Sequence, residues 1–136
     1  MQYPPPGAVV GIWVAVFFHV GLVSDHWVDG KPLVISNSYR HGGVVEESWD
    51  SFADEREVYI ESIFGQLDEL TVLARARSRL GVGWSLGYNC EHFVRYAHGV
   101  AIESPQLQAW TAGGLALLAL IGALGESRPV PASRVA

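Results

Sequence analysis

The run Tyr88-Asn89-Cys90-Glu91-His92-Phe93-Val94 contains the only cysteine of the chain, between a loop with several glycines and a helix-like segment. Asn89 is a favourable N-cap residue, so a helix is predicted to begin beside Cys90. Backbone N–H groups and the helix dipole stabilise a thiolate at that position, which makes Cys90 a candidate nucleophile. The alternative is a buried, inert thiol that behaves as a small hydrophobic side chain.

Helical signals continue on both sides of this run. Upstream, leucines recur at near-helical spacing from Leu67 to Leu80, with Asp68 and Glu69 predicted in the first turn of a helix. Gly81 is a natural stop for that helix. Downstream, the apolar face of the second helix is predicted to pack on a core, and the opposite side is predicted to carry Glu91 and Arg95 one turn apart. The face toward the core contains Phe93, Val94 and Ala97.

Strand signals dominate the first 60 residues. Val9 to Val23 is uncharged and rich in β-branched and aromatic residues. It is short for a membrane span and contains His19, so buried strands are favoured over a membrane helix. The run Asp29-Gly30-Lys31-Pro32 predicts a turn that returns the chain as a strand over 33–37. Further short elements are predicted at 44–45, 48–52 and 58–60. Strands followed by helices indicate an α+β fold, with a small antiparallel sheet packed against helices.

Length and charge limit the class of protein. The 136 residues suit one domain, predicted here over 1–104, and a single cysteine cannot form an internal disulfide. The net charge of −5 and the absence of a Lys/Arg run argue against nucleic-acid binding. No cysteine or histidine spacing typical of a metal site is present, and no glycine-rich phosphate loop, so neither a metal nor a cofactor is expected.

A second apolar stretch follows the predicted domain. Residues 105–125 have no charged side chain and are rich in Ala, Gly and Leu. They are predicted to form an apolar helix, which either anchors the chain in a membrane or packs on a partner such as a second copy. Residues 126–136 are predicted to be a flexible tail. The chain start carries no basic residue, so no signal peptide is expected, and we expect a cytoplasmic or membrane-associated protein.

A thiol nucleophile needs a base, and His19 is the strongest candidate among five histidines. His92 lies two residues after Cys90 and would point away from it on a helix, and His98 is two turns distant. An imidazole within an apolar strand, as at His19, is costly without a partner, and a cysteine at a nearby helix start would serve as one. The alternative is a core histidine satisfied by other groups.

The run from Asn89 to Val94 resembles the cysteine box of the lecithin:retinol acyltransferase (LRAT) family. The preceding helix, residues 74–81, resembles the helix before that box. Residues 6–10 and 19–23 look like the family's entry strand and histidine strand, and 44–52 resembles the segment after its third strand. The resemblance covers about residues 6 to 104.

The resemblance implies a permuted papain-like fold of the NlpC type, in which the histidine strand precedes the cysteine helix. It implies Cys90 as the nucleophile, His19 as its base and a thioester acyl-enzyme. Family members commonly carry an orienting polar residue in the third strand, often histidine. Ser36 occupies that place here, with Asn37 as the alternative, and alternation allows only one of them to face His19.

These observations predict a thiol acyltransferase or acyl hydrolase that acts on acyl-lipid or other ester substrates, with residues 105–125 as a possible membrane contact. Two alternatives remain open. The first is a cysteine amidase or peptidase, because the same pair of residues cleaves amides. The second is a catalytically weak or inactive binding module associated with membranes, which the serine at position 36 would favour.

Overall fold

A computed structural model of the chain describes residues 2–61 and 65–101. Five antiparallel strands form one sheet in the order β4-β3-β2-β1-β5, and helices pack on both of its faces. This confirms the predicted α+β class. The elements are β1 (Val9–Val14), β2 (Phe17–Val28), β3 (Lys31–Ser38), β4 (Gly43–Glu47), α1 (Trp49–Ala53), β5 (Tyr59–Glu61), α2 (Glu69–Arg77) and α3 (Cys90–His98).

The centre of the sheet is a meander of β1, β2 and β3. The turn at Asp29-Gly30 joins β2 to β3, and both of its residues have the positive φ that such a tight turn requires. β2 continues five residues beyond the predicted end at Val23. An irregularity in the β2–β3 pairing between Val23 and Trp27 absorbs the polar residues there, so pairing resumes up to the turn.

Side chains alternate between two apolar layers. One layer lies between the sheet and the helices α2 and α3, and it includes Val20, Leu22, Phe93 and Val94. The other lies under α1 and is centred on Phe52, with a second group of strand residues around it. Gly21 belongs to the α1 face, because a Cβ there would meet the Phe52 ring and the Val34 side chain. Successive residues of β2 therefore contribute to opposite faces.

The helix starts agree with the sequence better than the helix ends. Asn89 caps α3, as predicted. Asp68, predicted in the first turn of α2, is the N-cap just before it and accepts from the Thr71 N–H. The predicted stop at Gly81 is too late, because α2 ends at Arg77 with Ser78 as its cap.

The predicted solvent-facing position of Glu91 is wrong. This side chain is buried, only 7% exposed, because the first turn of α3 lies against the sheet and the loop before it.

The remaining predictions for the chain's second half fall outside the described residues. The apolar helix at 105–125, the tail at 126–136 and the domain boundary at 104 all belong to this part of the sequence. Within 2–61 and 65–101, no helix is long and apolar enough to cross a membrane.

Candidate functional site

Cys90 is the first residue of α3, and side chains on both sides of it fix this position. The Asn89 side chain accepts hydrogen bonds from the backbone N–H groups of Glu91, at 3.0 Å, and of His92, at 3.3 Å. In return, the His92 ring Nδ1 accepts from the backbone N–H of Asn89 at 3.0 Å. This reciprocal capping box fixes the entry of the chain into the helix. His92 therefore has a structural role beside Cys90.

A buried side chain of β3 ties the loop before Cys90 to the sheet. The Asn37 amide nitrogen donates to the backbone carbonyl of Tyr88 at 2.8 Å, and Asn37 is fully buried. Tyr88 itself packs against the same apolar layer as Cys90. The contact joins residues 51 positions apart, so it is the tertiary link that sets the helix start against the sheet.

His19 lies in β2 opposite Ile12 of β1, on the face of the sheet that carries α1. Its ring contacts the Phe52 ring of α1, with centroids 5.3 Å apart. Cys90 packs on the opposite layer, as Phe18 and Tyr88 also do. The two candidate catalytic residues therefore approach from opposite faces of the sheet.

His19 and Cys90 both line one cavity of about 650 Å³. The recorded pairing of β2 with β3 begins at Leu22 and Ile35. Beyond that pair, toward the β1–β2 turn, residues 17–19 of β2 and Ser38 of β3 line the cavity. Apolar side chains form much of the remaining wall, namely Ile12, Val14, Phe17, Phe18, Phe52, Trp84 and Leu86.

The predicted activation of Cys90 by its helix position is wrong for the resting structure. Burial raises the pKa of the thiol to about 11, and the Glu91 carboxylate raises the pKa further. Backbone groups of Val20, Glu91 and Cys90 hydrogen-bond the sulfur and lower the pKa, but they do not outweigh the loss of water. The resting thiol is therefore neutral at pH 7.

His19 is also neutral at pH 7. Burial lowers the pKa of its imidazole to about 4, against a smaller raising effect of the Glu47 carboxylate. Both residues are described, and no hydrogen bond joins Cys90 to His19. A resting thiolate–imidazolium pair is thus disfavoured, whereas a neutral imidazole remains able to accept a proton.

The two candidate orienting residues lie on different faces. Ser36 shares the face of His19, but it is fully buried and lies outside the cavity lining. Within residues 2–61 and 65–101 its hydroxyl has no hydrogen-bond partner. Asn37 faces α3 and bonds Tyr88. Among the residues that the structure describes, neither is hydrogen-bonded to His19. Continuing the Leu22–Ile35 register places Ser38 opposite His19, and Ser38 lines the cavity.

Glu47 is the carboxylate that raises the pKa of His19, and it was not among the residues predicted from the sequence. Glu47, at the end of β4, shares the α1 face and lines the cavity. Its carboxylate accepts from the Ser51 hydroxyl at 2.6 Å and contacts the His41 ring at 2.9 Å and Arg40 at 3.5 Å. Period-two alternation in β4 was the available signal, but it does not show which face is which.

The described part of the chain has no group of histidine, cysteine or acidic side chains arranged to hold a metal ion.

Comparison with protein-family models finds no match to this chain, and no curated protein matches its sequence.

Proposed function

We propose that this protein is a thiol-dependent acyltransferase or acyl hydrolase of the LRAT type, with Cys90 as the nucleophile and His19 as the general base. The single observation that carries the proposal is the shared cavity, whose wall contains both residues and much apolar surface. The sheet and α3 would then be the core of a permuted papain-like fold. The order His19 before Cys90 in the chain is consistent with this arrangement.

The reaction follows from the protonation states in the site. Cys90 Sγ attacks the carbonyl carbon of an ester while His19 takes the thiol proton, so no thiolate needs to accumulate beforehand. The proton passes to the leaving alcohol, and the acyl group remains on sulfur as a thioester. Water or an alcohol or amine acceptor then releases the acyl group. Backbone N–H groups at the start of α3 are suited to stabilise the developing oxyanion.

The cavity favours an acyl chain as the part of the substrate that binds. Phe17, Phe18, Phe52 and Leu86 contribute aromatic and aliphatic surface to the cavity that Cys90 also lines. At the cavity, Arg40 pairs with Glu47 and Asp54, and Arg56 pairs with Asp54. A fatty-acyl ester would therefore bury its chain and leave its polar end near these pairs. The amidase alternative requires recognition of peptide groups, for which this wall offers less.

A second function is favoured by the resting pKa values. A neutral thiol, a neutral imidazole and no hydrogen bond between them also fit a module that binds apolar ligands without chemistry. The same cavity would then be a binding site in which Cys90 is part of the wall.

Turnover measurements separate these functions. We expect a medium-chain p-nitrophenyl ester to be hydrolysed, the matched anilide to be hydrolysed far more slowly, and Cys90→Ala to be inactive. His19→Gln should reduce turnover by 10²-fold or more, as for loss of a general base. His26→Gln, at an exposed histidine of β2 away from the cavity lining, serves as the matched control. Ligand binding without turnover in the unmodified protein would favour the binding module, and faster anilide cleavage would favour the amidase.

A further inference from the structure

The β1–β2 hairpin ends in a tip that is apolar on both faces. Trp13 is 49% exposed, Val14 39% and Val16 37%, and Ala15 is exposed between them. Trp13 lies on the face of Phe18, whose ring it contacts with centroids 5.0 Å apart. Val14 lies on the opposite face, which is also that of Ile12. A hairpin in water usually has one polar face. This tip instead has apolar side chains on both faces.

The turn itself supports the same conclusion. Two-residue hairpin turns favour Asn, Asp or Gly because the backbone needs positive φ and the position is in water. Here the turn is Ala15-Val16, and Ala15 takes the positive φ of 54°. The Val14–Phe17 pair nevertheless closes the ladder, so these two residues are paired with each other directly at the turn. Paired backbone is what entry into an apolar medium requires.

The charge of the tip and of the whole chain indicates which kind of lipid surface the tip would contact. The first Asp, Glu, Lys or Arg of the chain is Asp25, so the tip carries no charge, while the whole chain has a net charge of −5. An anionic lipid surface would repel the chain, and a zwitterionic one would not. Trp13 is of the residue type that concentrates at membrane–water interfaces. From the Trp13–Phe18 pair to the turn is about 7 Å of strand, which matches the ~5–10 Å depth of interfacial insertion.

We propose that the β1–β2 hairpin tip, Trp13 to Val16, inserts into the interface of a zwitterionic lipid bilayer and presents the cavity to it. The role of this insertion in delivering substrate rests on the proposed function. Val14 also lines the cavity that would accept an acyl chain. With the tip inserted, a chain in the bilayer reaches the cavity along one continuous apolar surface.

The test places a fluorescent label at the tip. Cys90→Ala removes the only native thiol, and Val16→Cys in that background then takes an NBD group at the tip. Leu70→Cys, 74% exposed on α2, provides the matched control. With phosphatidylcholine vesicles we expect a blue shift and quenching by lipid-borne nitroxide at position 16, and neither at position 70. Vesicles containing phosphatidylserine should bind no better.

A charge introduced at the tip completes the test. Val16→Asp in the full chain should reduce vesicle affinity by tenfold or more, whereas Leu70→Asp should leave it unchanged. Vesicle binding with an unshifted label at position 16, no vesicle binding at all, or a tip that is instead buried in a dimer by light scattering would each overturn the proposal. Because Cys90→Ala removes the nucleophile and leaves the tip intact, failure of the proposed chemistry leaves this result standing.

Discussion

Cys90 combines two opposing influences on one sulfur atom. Backbone N–H groups favour the thiolate, burial opposes it, and burial is the larger effect, since the pKa of the thiol is about 11. This differs from a papain-like ion pair, in which a depressed cysteine pKa makes the thiolate abundant at neutral pH. Any chemistry at Cys90 must therefore couple attack to proton removal.

Alkylation of Cys90 should follow this raised pKa. We expect the rate of reaction with iodoacetamide to rise about tenfold per pH unit from pH 6 to pH 9, because the thiolate fraction rises by that factor below a pKa of about 11. Mass spectrometry of the alkylated chain measures the rate. A plateau between pH 6 and pH 8 would show a low-pKa thiolate and contradict the resting state described above.

Two neighbouring residues of β3 should respond in opposite ways to truncation. Asn37→Ala leaves the Tyr88 carbonyl buried without its donor, and we expect a loss of about 1–3 kcal/mol in the free energy of unfolding. Ser36→Ala removes a buried hydroxyl that has no partner in the described part of the chain, so its effect should be close to zero or stabilising. Urea denaturation of both variants provides the comparison. Equal losses for the two would mean that the Asn37–Tyr88 bond does not hold the loop.

At the scale of the elements, the N-terminus of α3 depends on its capping box. Asn89→Ala removes the acceptor for two backbone N–H groups, and we expect it to cost about 1 kcal/mol in the free energy of unfolding. Asn89→Asp keeps an acceptor at the same place and should retain most of that stability. Thermal unfolding followed by circular dichroism measures both. A larger loss for Asn89→Asp than for Asn89→Ala would contradict the capping role.

The sequence predicted most elements because local signals define them. Asn89 and Asp68 are helix caps in the structure, and the Asp29-Gly30 turn joins two strands as expected. The end of β2 was missed because it depends on a pairing irregularity with β3. The burial of Glu91 was missed because it depends on how α3 lies against the sheet. Neither is encoded in local periodicity.

The candidate site shows the same limit at residue level. Sequence pattern selected Cys90 and His19, and the structure places both at one cavity. Their positions on opposite faces, and the effect of burial on both pKa values, depend on the assembled sheet and could not be read from spacing. Glu47 was missed for the same reason, because only the strand order brings β4 to that wall.

For the whole molecule, the stability should pass through a maximum between the two ionisations. The pKa of His19 falls from 6.5 to about 4 on folding, so the unfolded chain binds more protons there and stability falls as pH drops from 6.5 to 4. The pKa of Cys90 rises from 9.0 to about 11, so stability falls as pH rises from 9 to 11. Both effects are absent near pH 7 to 8.

Urea midpoints from pH 4 to pH 10 check this dependence. His19→Gln should flatten the acid side relative to the unmodified protein, and Cys90→Ala should flatten the alkaline side. An unchanged acid side in His19→Gln would contradict the burial of a neutral imidazole at position 19.

The central claim is that Cys90 carries the acyl group, and mass spectrometry of the acyl-enzyme tests it most directly. After incubation with a fatty-acyl ester at pH 9, the account predicts one added acyl mass on the peptide that contains Cys90, labile to hydroxylamine and absent in Cys90→Ala. Ester consumption with no adduct on Cys90, or an adduct that persists in Cys90→Ala, would contradict it.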